Sequence, residues 1–317
     1  MATAIMALGC GALTPGCGDE GAMTGAAETQ PAVLADTSFL ADITGNVAGE
    51  RLSVASLLPM GADPHSFEPT PRDARKIADS RAVVINNYGL EPQIDELIAS
   101  AGGPDLLVVE AAAGLPSRTP QPGEAAFAGD DGADNGDEVA EVDPHFWLDP
   151  IDVVTYVDNI RRGLSSIDPE GADVYKAQAD SYAEQLRELD AWIEAEVEKI
   201  PAERRLLVTN HESFGYFADR YGFQIVGTLF STAGAEGSPS AQDMAGLVEE
   251  IRATGAPAIF VETGSSSDLA TQVAGEAGVE VVTDLYTHSL GEDVPTYLDM
   301  MRWNVSRIVE ALSVDSR

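Results

Sequence analysis

Histidine is rare in this sequence, because only four of its 317 residues carry an imidazole. His65 and His145 each end a copy of the tripeptide Asp-Pro-His, whereas His211 and His288 each follow a segment predicted to be a strand. Neutral imidazole binds zinc, copper, iron and nickel well. A lone histidine is usually a surface or core residue, but four in comparable loops indicate a metal site.

The elements that must position these histidines are short apolar runs alternating with helical patterns. Such alternation predicts an α/β protein whose mostly parallel sheets are flanked by helices. Ligands of open α/β sheets bind beyond the carboxyl ends of the strands, where these four loops would lie. The predicted strands are Leu52–Leu57, Ala82–Asn86, Leu106–Val109, Leu206–Thr209, Gln224–Leu229, Ala258–Glu262 and Val279–Thr283.

The longest helical pattern covers residues 169–200, where apolar residues recur at spacings of three and four. We expect it to be a rigid helix connecting two lobes, residues 32–168 and 201–317. Two histidines precede it and two follow it, so a metal site in the cleft between the lobes would take two ligands from each. Residues 120–142 are rich in Asp, Glu and Gly, and they predict a mobile acidic loop in the first lobe.

Charge excludes one large class of function, because 53 acidic against 18 basic residues give a formal net charge of −35. Such a chain repels nucleic acid and suits a carrier of cations. Both cysteines lie near the start. Residues 1–31 resemble a lipoprotein leader followed by a flexible tether, with Cys17 favoured over Cys10 as the lipidated residue. The alternative is that both are incidental small residues. No later stretch is long and apolar enough to span a membrane.

Several ordered motifs make the chain resemble the metal-binding lipoproteins of bacterial zinc and manganese ABC importers, the cluster A-I (cluster 9) solute-binding proteins. The motifs include SLLPMGADPHSFEPTPRDARKIADSRAVVINNYGLEP, DPHFWLDP, VTNHESFGYFADRYGF, TLFSTAGAEGSPSAQDMAGLVEEIR, IFVETGSSSDLATQVAGEAGVEVV and LYTHSLGEDVPTYLDMMRWN. The resemblance implies two α/β lobes bridged by one long helix, with the metal buried between them.

The same resemblance implies the ligand set. The family's first two ligands are histidines in Asp-Pro-His contexts, which places them at His65 and His145, and its third is matched by His211. The fourth is commonly Asp, but this sequence has His288 there. Lower-ranked carboxylate alternatives are Asp284 and Glu262, and Asp63 and Asp143 either accept hydrogen bonds from the ligands or shape the turns before proline.

Four imidazoles without a carboxylate favour Zn²⁺ in tetrahedral geometry, because Mn²⁺ prefers oxygen ligands. Mn²⁺ is the alternative metal. A closed four-ligand site suits capture and delivery, so we expect no enzyme activity. The expected protein is monomeric and extracytoplasmic, either periplasmic or at the cell surface. It would meet the membrane only through a lipid anchor and would deliver metal to the permease and ATPase of an importer. Rival hypotheses are a zinc-dependent hydrolase with Glu212 as its base and a surface adhesin with a structural metal.

Overall fold

The computed structural model describes residues 1, 32–90, 92–119, 121, 142–230 and 239–313. The predicted leader after Met1, with Cys17, lies outside the described residues, as does nearly all of the predicted acidic loop. Within the described residues the chain forms two sheets of four parallel strands with helices packed around them. The predicted fold class is therefore confirmed.

The first sheet has the strand order β2-β1-β3-β4. Val33 of its central strand β1 pairs with Val54 of β2 and with Ala82 of β3. The strands are β1 (Val33–Ala35), β2 (Val54–Ser56), β3 (Ala82–Ile85) and β4 (Leu107–Glu110), and the helices of this half are α1 (Ser38–Ala48), α2 (Pro71–Ala78), α3 (Pro92–Ala101) and α4 (Pro150–Ile167).

Helix α5 (Ala172–Val197) follows, and the second sheet repeats the topology with the order β6-β5-β7-β8. Thr209 of β5 pairs with Phe260 of the neighbouring strand β7. The strands are β5 (Leu206–Thr209), β6 (Gln224–Thr228), β7 (Ala258–Glu262) and β8 (Glu280–Leu285), and the helices are α6 (Gly215–Tyr221), α7 (Ala241–Thr254), α8 (Asp268–Ala277) and α9 (Tyr297–Leu312).

All seven predicted strands are present, and their ends differ from the predicted ends by at most two residues. The predicted set lacked β1, which is the strand between β2 and β3. This strand has only 3 residues, all of them buried. Strand β2 is equally short, but it lies within the longer predicted run Leu52–Leu57. The apolar run around β1 covers only Ala32–Ala35 and has too few positions to display the period of a strand.

Local signals fix several helix ends. Thr70 with Asp73 and Ser240 with Asp243 form capping boxes at the starts of α2 and α7, in which each side chain bonds the backbone of the other residue. Gly255 ends α7 at φ 76°, a left-handed conformation that glycine adopts without a steric penalty.

Helix α5 lies at the centre of the molecule. Its 26 residues are about 39 Å long at ~1.5 Å per residue. The predicted apolar stripe is buried, with Leu186, Leu189 and Ile193 fully inaccessible. Helices α1, α4 and α9 pack against α5, so a helix from the second half lies on the first. No helix of the described residues is long and apolar enough to cross a membrane.

One hydrophobic core joins the two halves, because it contains residues of both sheets together with α1, α4, α5 and α9. On β1, Val33 faces this central core and Leu34 faces a smaller cluster under α2 and α3. Alternate strand residues therefore bury both faces of the sheet, as parallel sheets require. The continuous core holds the carboxyl edges of the two sheets at a fixed distance.

Candidate metal-binding site

The four histidines lie in four loops at the carboxyl ends of strands. His65 sits in the short 3₁₀ turn Pro64–Ser66 between β2 and α2, and His145 precedes the 3₁₀ turn Phe146–Leu148 that leads into α4. His211 and His288 follow β5 and β8.

The two Asp-Pro-His motifs fold alike. The backbone N of His65 donates to Asp63 Oδ1 (2.9 Å), and the backbone N of His145 donates to Asp143 Oδ1 (3.0 Å). Each aspartate therefore holds the turn that presents its histidine.

The structure brings all four imidazoles together, and their candidate ligand atoms lie within 4.8 Å of one another. His288 Nε2 is 3.2 Å from His65 Nε2 and 3.2 Å from His145 Nε2. A tetrahedral zinc ion with Zn–N bonds of ~2.05 Å has N–N edges of about 3.3 Å. Two of the N–N distances in the cluster are therefore close to that edge length.

Carboxylates hold three of the imidazoles from behind. His145 Nδ1 lies 2.8 Å from Asp143 Oδ1, His211 Nδ1 lies 3.0 Å from Glu262 Oε1, and His288 Nδ1 lies 3.3 Å from Glu262 Oε2. An ionised carboxylate only accepts hydrogen bonds, so these Nδ1 atoms carry the protons and the Nε2 lone pairs face the cluster. His211 Nε2 is buried and has no hydrogen-bond partner. A buried acceptor without a donor fits a position that a cation would fill.

Burial and mutual proximity keep part of the cluster uncharged. Burial, helped by His288 and His211, lowers the pKa of His65 to about 2. Burial, together with the neighbouring imidazoles, also holds the pKa of His145 well below its usual value. Metal ligation requires neutral imidazole, so these two histidines are in the form that binds metal.

Glu262 and His211 shift each other's pKa in opposite directions. Burial acts to raise the pKa of Glu262, but His211 and His288 outweigh it and hold that pKa well below the usual value. Burial likewise acts to lower the pKa of His211, but the Glu262 carboxylate outweighs it and raises that pKa. Glu262 is therefore ionised although its side chain is only 5% exposed.

The carboxylates that the sequence offered lie in different places. Asp284 is exposed at the end of β8, accepts a hydrogen bond from Thr283 Oγ1 and is not among the clustered residues. Glu262 lies behind two imidazoles, on their Nδ1 side. Glu212 is buried, and its Oε1 accepts from Thr228 Oγ1 at 3.3 Å. Asp143 both shapes its turn and contacts a ring nitrogen, whereas the carboxylate of Asp63 accepts from the His65 backbone and from Ser66 Oγ.

Sequence reasoning missed the residues that support Asp143 and His145. Arg118 Nη1 lies 3.7 Å from Asp143 Oδ2, and the Arg118 side chain is only 3% exposed. Tyr216 Oη donates to the Asp143 carbonyl at 3.0 Å. Arg118 and Tyr216 are separated from Asp143 by 25 and 73 residues, so no local pattern could have revealed them.

Hydrogen bonds also fasten the loops of one half to those of the other. Trp147 Nε1, beside His145, donates to the carbonyl of Thr287, beside His288 (2.7 Å). Ser289 Oγ accepts from the Gly61 backbone N (2.6 Å) and lies 3.0 Å from Ser38 Oγ. The loops that carry His65, His145 and His288 are therefore joined by hydrogen bonds within the protein.

A cavity of about 250 Å³ adjoins the cluster and opens towards solvent. Its lining includes three of the histidines but not His145. Several oxygen-bearing side chains of the lining can hold water around an entering cation, namely those of Asp63, Asn210, Glu262, Thr263, Ser265, Thr287 and Ser289.

Two parallel α/β sheets with four imidazoles between their carboxyl edges define a metal-binding, substrate-binding protein of the ABC-importer class. The chain belongs to the family of "Zinc-uptake complex component A periplasmic" (ZnuA), whose model matches residues 33–311. The family that the sequence motifs predicted is therefore confirmed.

Relatives of the chain include proteins named for different metals. It is 33% identical over 316 residues to the manganese-binding lipoprotein MntA of Halalkalibacterium halodurans, covering 99% of this chain and 96% of the relative. It is 31% identical over 282 residues to the iron-binding protein YfeA of Yersinia pestis, covering 88% and 85%.

Solved structures of similar proteins agree with the two-lobed fold. The periplasmic zinc-binding protein TroA of Treponema pallidum matches with a TM-score of 0.78 and 27% identity, over 90% of this chain and 99% of that one. A manganese-bound periplasmic metal-binding protein of Candidatus Liberibacter asiaticus matches with a TM-score of 0.76 and 28% identity, over 88% and 98%. Since the metals differ among similar proteins, the preference of this chain must be argued from its own donors.

Proposed function

We propose that the protein captures Zn²⁺ outside the cytoplasm and delivers it to the permease and ATPase of an ABC importer. The ligands in this proposal are His65, His145, His211 and His288. The observation that carries it is the convergence of four imidazoles, two pairs of whose Nε2 atoms are 3.2 Å apart. Nitrogen donors in that geometry suit zinc better than manganese, which prefers oxygen.

Manganese is the second candidate cargo, because MntA is named a manganese-binding lipoprotein. Against it, the carboxylates of Glu262 and Asp143 contact the ligands instead of pointing at the centre of the cluster. The Irving–Williams order also places Mn²⁺ below Zn²⁺ at a nitrogen site.

A transport role, without catalysis, fits the donor set. Zinc hydrolases keep one coordination position open for water and place a general base beside it. Here four imidazoles would fill the tetrahedron, and Glu212 does not line the cavity beside them. We therefore propose binding and delivery in preference to hydrolysis or a structural metal in an adhesin. We also propose that the protein is a monomer and that a lipid on Cys17 anchors it to the membrane.

Metal analysis of protein purified without added metal tests this function. The expected result is one zinc per chain, removed by chelation and restored on titration. Competition with a chelator of known affinity should then rank Zn²⁺ above Mn²⁺. Asp284→Asn is the matched control and should leave both affinities unchanged, since that carboxylate lies outside the cluster. Tighter binding of Mn²⁺, or no tight site, would overturn the proposal.

A further inference from the structure

Glu262 is the last residue of β7, and its carboxylate lies between two of the four clustered imidazoles. Oε1 is 3.0 Å from His211 Nδ1, and Oε2 is 3.3 Å from His288 Nδ1. Asp143, by comparison, contacts one ring nitrogen. Half of the candidate ligands therefore depend on the orientation of a single side chain.

Hydrogen bonds from the same two loops hold the Glu262 carboxylate in place. Ser213 Oγ donates to Oε1 at 2.9 Å, and Thr287 Oγ1 donates to Oε2. The backbone N of Glu262 donates to Asn210 Oδ1 at 3.2 Å. Turning the carboxylate towards the cluster would break contacts on both oxygens and leave buried donors unpaired, which is unfavourable.

The chemistry of a carboxylate matters here because it accepts hydrogen bonds and donates none. When neutral, both imidazoles therefore carry their proton on Nδ1 and keep Nε2 as a lone pair. An amide at this position has one oxygen and one NH₂ group. Its oxygen could satisfy His211 or His288, but its NH₂ would face an N–H of the other. If that second imidazole is His211, it would have to turn away or move its proton to Nε2, where it would block a metal. His288 Nδ1 also lies 3.1 Å from Thr287 Oγ1, which could accept its proton in place of Glu262.

Charge adds to this positional effect. Four neutral imidazoles leave the two positive charges of a divalent ion uncompensated among the ligands themselves. The buried negative charge of Glu262 lies one imidazole ring away, and partners of this kind raise the basicity of the ligands they contact.

We propose that Glu262 is the positioning residue of the site, an inference that rests on the proposed function. It fixes His211 and His288 as a preformed pair of Nε2 donors. It also supplies, through those rings, the negative charge that a carboxylate ligand would supply directly. The metal thus meets only nitrogen donors although an ionised glutamate belongs to the site.

Chelator competition with Glu262→Gln, a nearly isosteric change, tests the proposal. Loss of a residue that orients ligands typically weakens metal affinity about 10–100-fold, and we expect Zn²⁺ affinity to fall by that factor. Glu262→Asp keeps the charge but is one methylene shorter, so it should recover part of the loss. Asp284→Asn, an exposed carboxylate, should have no effect. Unchanged affinity in Glu262→Gln would overturn the proposal.

The ring nitrogens give a readout that general damage to the fold would not reproduce. In metal-free wild type, ¹⁵N shifts at a pH high enough to remove imidazolium should show His211 and His288 protonated on Nδ1. In Glu262→Gln, the ¹⁵N shifts of the ring nitrogens of His211 and His288 should change, because each Nδ1 loses a charged acceptor. Nε2 protonation in the wild type would overturn the proposal even if the variant did not fold.

X-ray absorption of the zinc-loaded wild type should show nitrogen donors only. An oxygen donor that disappears in Glu262→Gln would make Glu262 a ligand and overturn its positioning role. A wild type without tight metal binding would instead refute the proposed function, while the ring-nitrogen shifts would still test the role of Glu262.

Discussion

Replacing His65 with glutamine should change how the stability of the metal-free protein depends on pH. Burial and the imidazoles of His288 and His211 lower the pKa of His65 to about 2. In the unfolded chain the same side chain titrates near ~6.5. Between these two values the unfolded state binds a proton that the folded state refuses, so acid favours unfolding.

The size of this effect follows from the pKa difference. Each pH unit below ~6.5 should destabilise the fold by about 1.4 kcal/mol through His65. At about pH 5, roughly 1.5 units below that value, the penalty is about 2 kcal/mol. The penalty is absent above ~6.5 and grows as the pH falls. Glutamine does not titrate, so His65→Gln should escape it.

Denaturant unfolding of both metal-free proteins at about pH 7.5 and about pH 5 measures the effect. Lowering the pH should make the variant more stable relative to the wild type by about 2 kcal/mol of unfolding free energy. Ser306→Ala, an exposed change on α9 whose hydroxyl bonds only a backbone carbonyl, should show no such movement. If the difference were the same at both pH values, His65 would titrate normally and the reasoning from burial would be refuted.

Three further results are expected. His288→Ala should weaken Zn²⁺ binding. His288→Asp should reduce the ratio of Zn²⁺ to Mn²⁺ affinity without reversing it, because oxygen suits Mn²⁺ but zinc still binds more tightly. Equal metal affinities in competition for the wild type and both variants would remove His288 from the ligands. Arg220→Met should lower the free energy of unfolding, measured in urea, by about 2–3 kcal/mol. Arg220 pairs with both oxygens of buried Asp190, and its own side chain is 26% exposed. The surface control Arg187→Met should lower that free energy by at most ~0.5 kcal/mol. Metal-free and metal-loaded forms should have nearly equal radii of gyration in scattering, because no Pro or Gly interrupts α5, and a change typical of wide domain closure would contradict this.

Local sequence signals predicted most of the fold because they act over a few residues. The Thr70–Asp73 and Ser240–Asp243 capping boxes are four-residue patterns, and the buried stripe of α5 repeats over its whole length. Strand β1 was not predicted because it forms by pairing with β2 and β3, which come from elsewhere in the chain.

The site was predictable only in part for the same reason. Rarity and the repeated Asp-Pro-His motif pointed to the histidines, which the structure clusters, whereas the role of Glu262 depends on contacts across 51 and 26 residues. One signal could have found it: an acidic residue ends the apolar strand Ala258–Glu262 at the edge where ligands of such sheets bind.

The position of α9 has a consequence for how the chain acquires its structure. Tyr297, at its start, donates from its backbone N to Asp42 of α1 and from its hydroxyl to the carbonyl of Trp147. The first half of the protein therefore cannot complete its core during synthesis until Tyr297, 150 positions beyond Trp147, has been made. A growing chain completes domains in order only when each is self-contained. Here the first strands are fully buried only after the last described helix has been made. Until then, their apolar surfaces are accessible to chaperones and proteases.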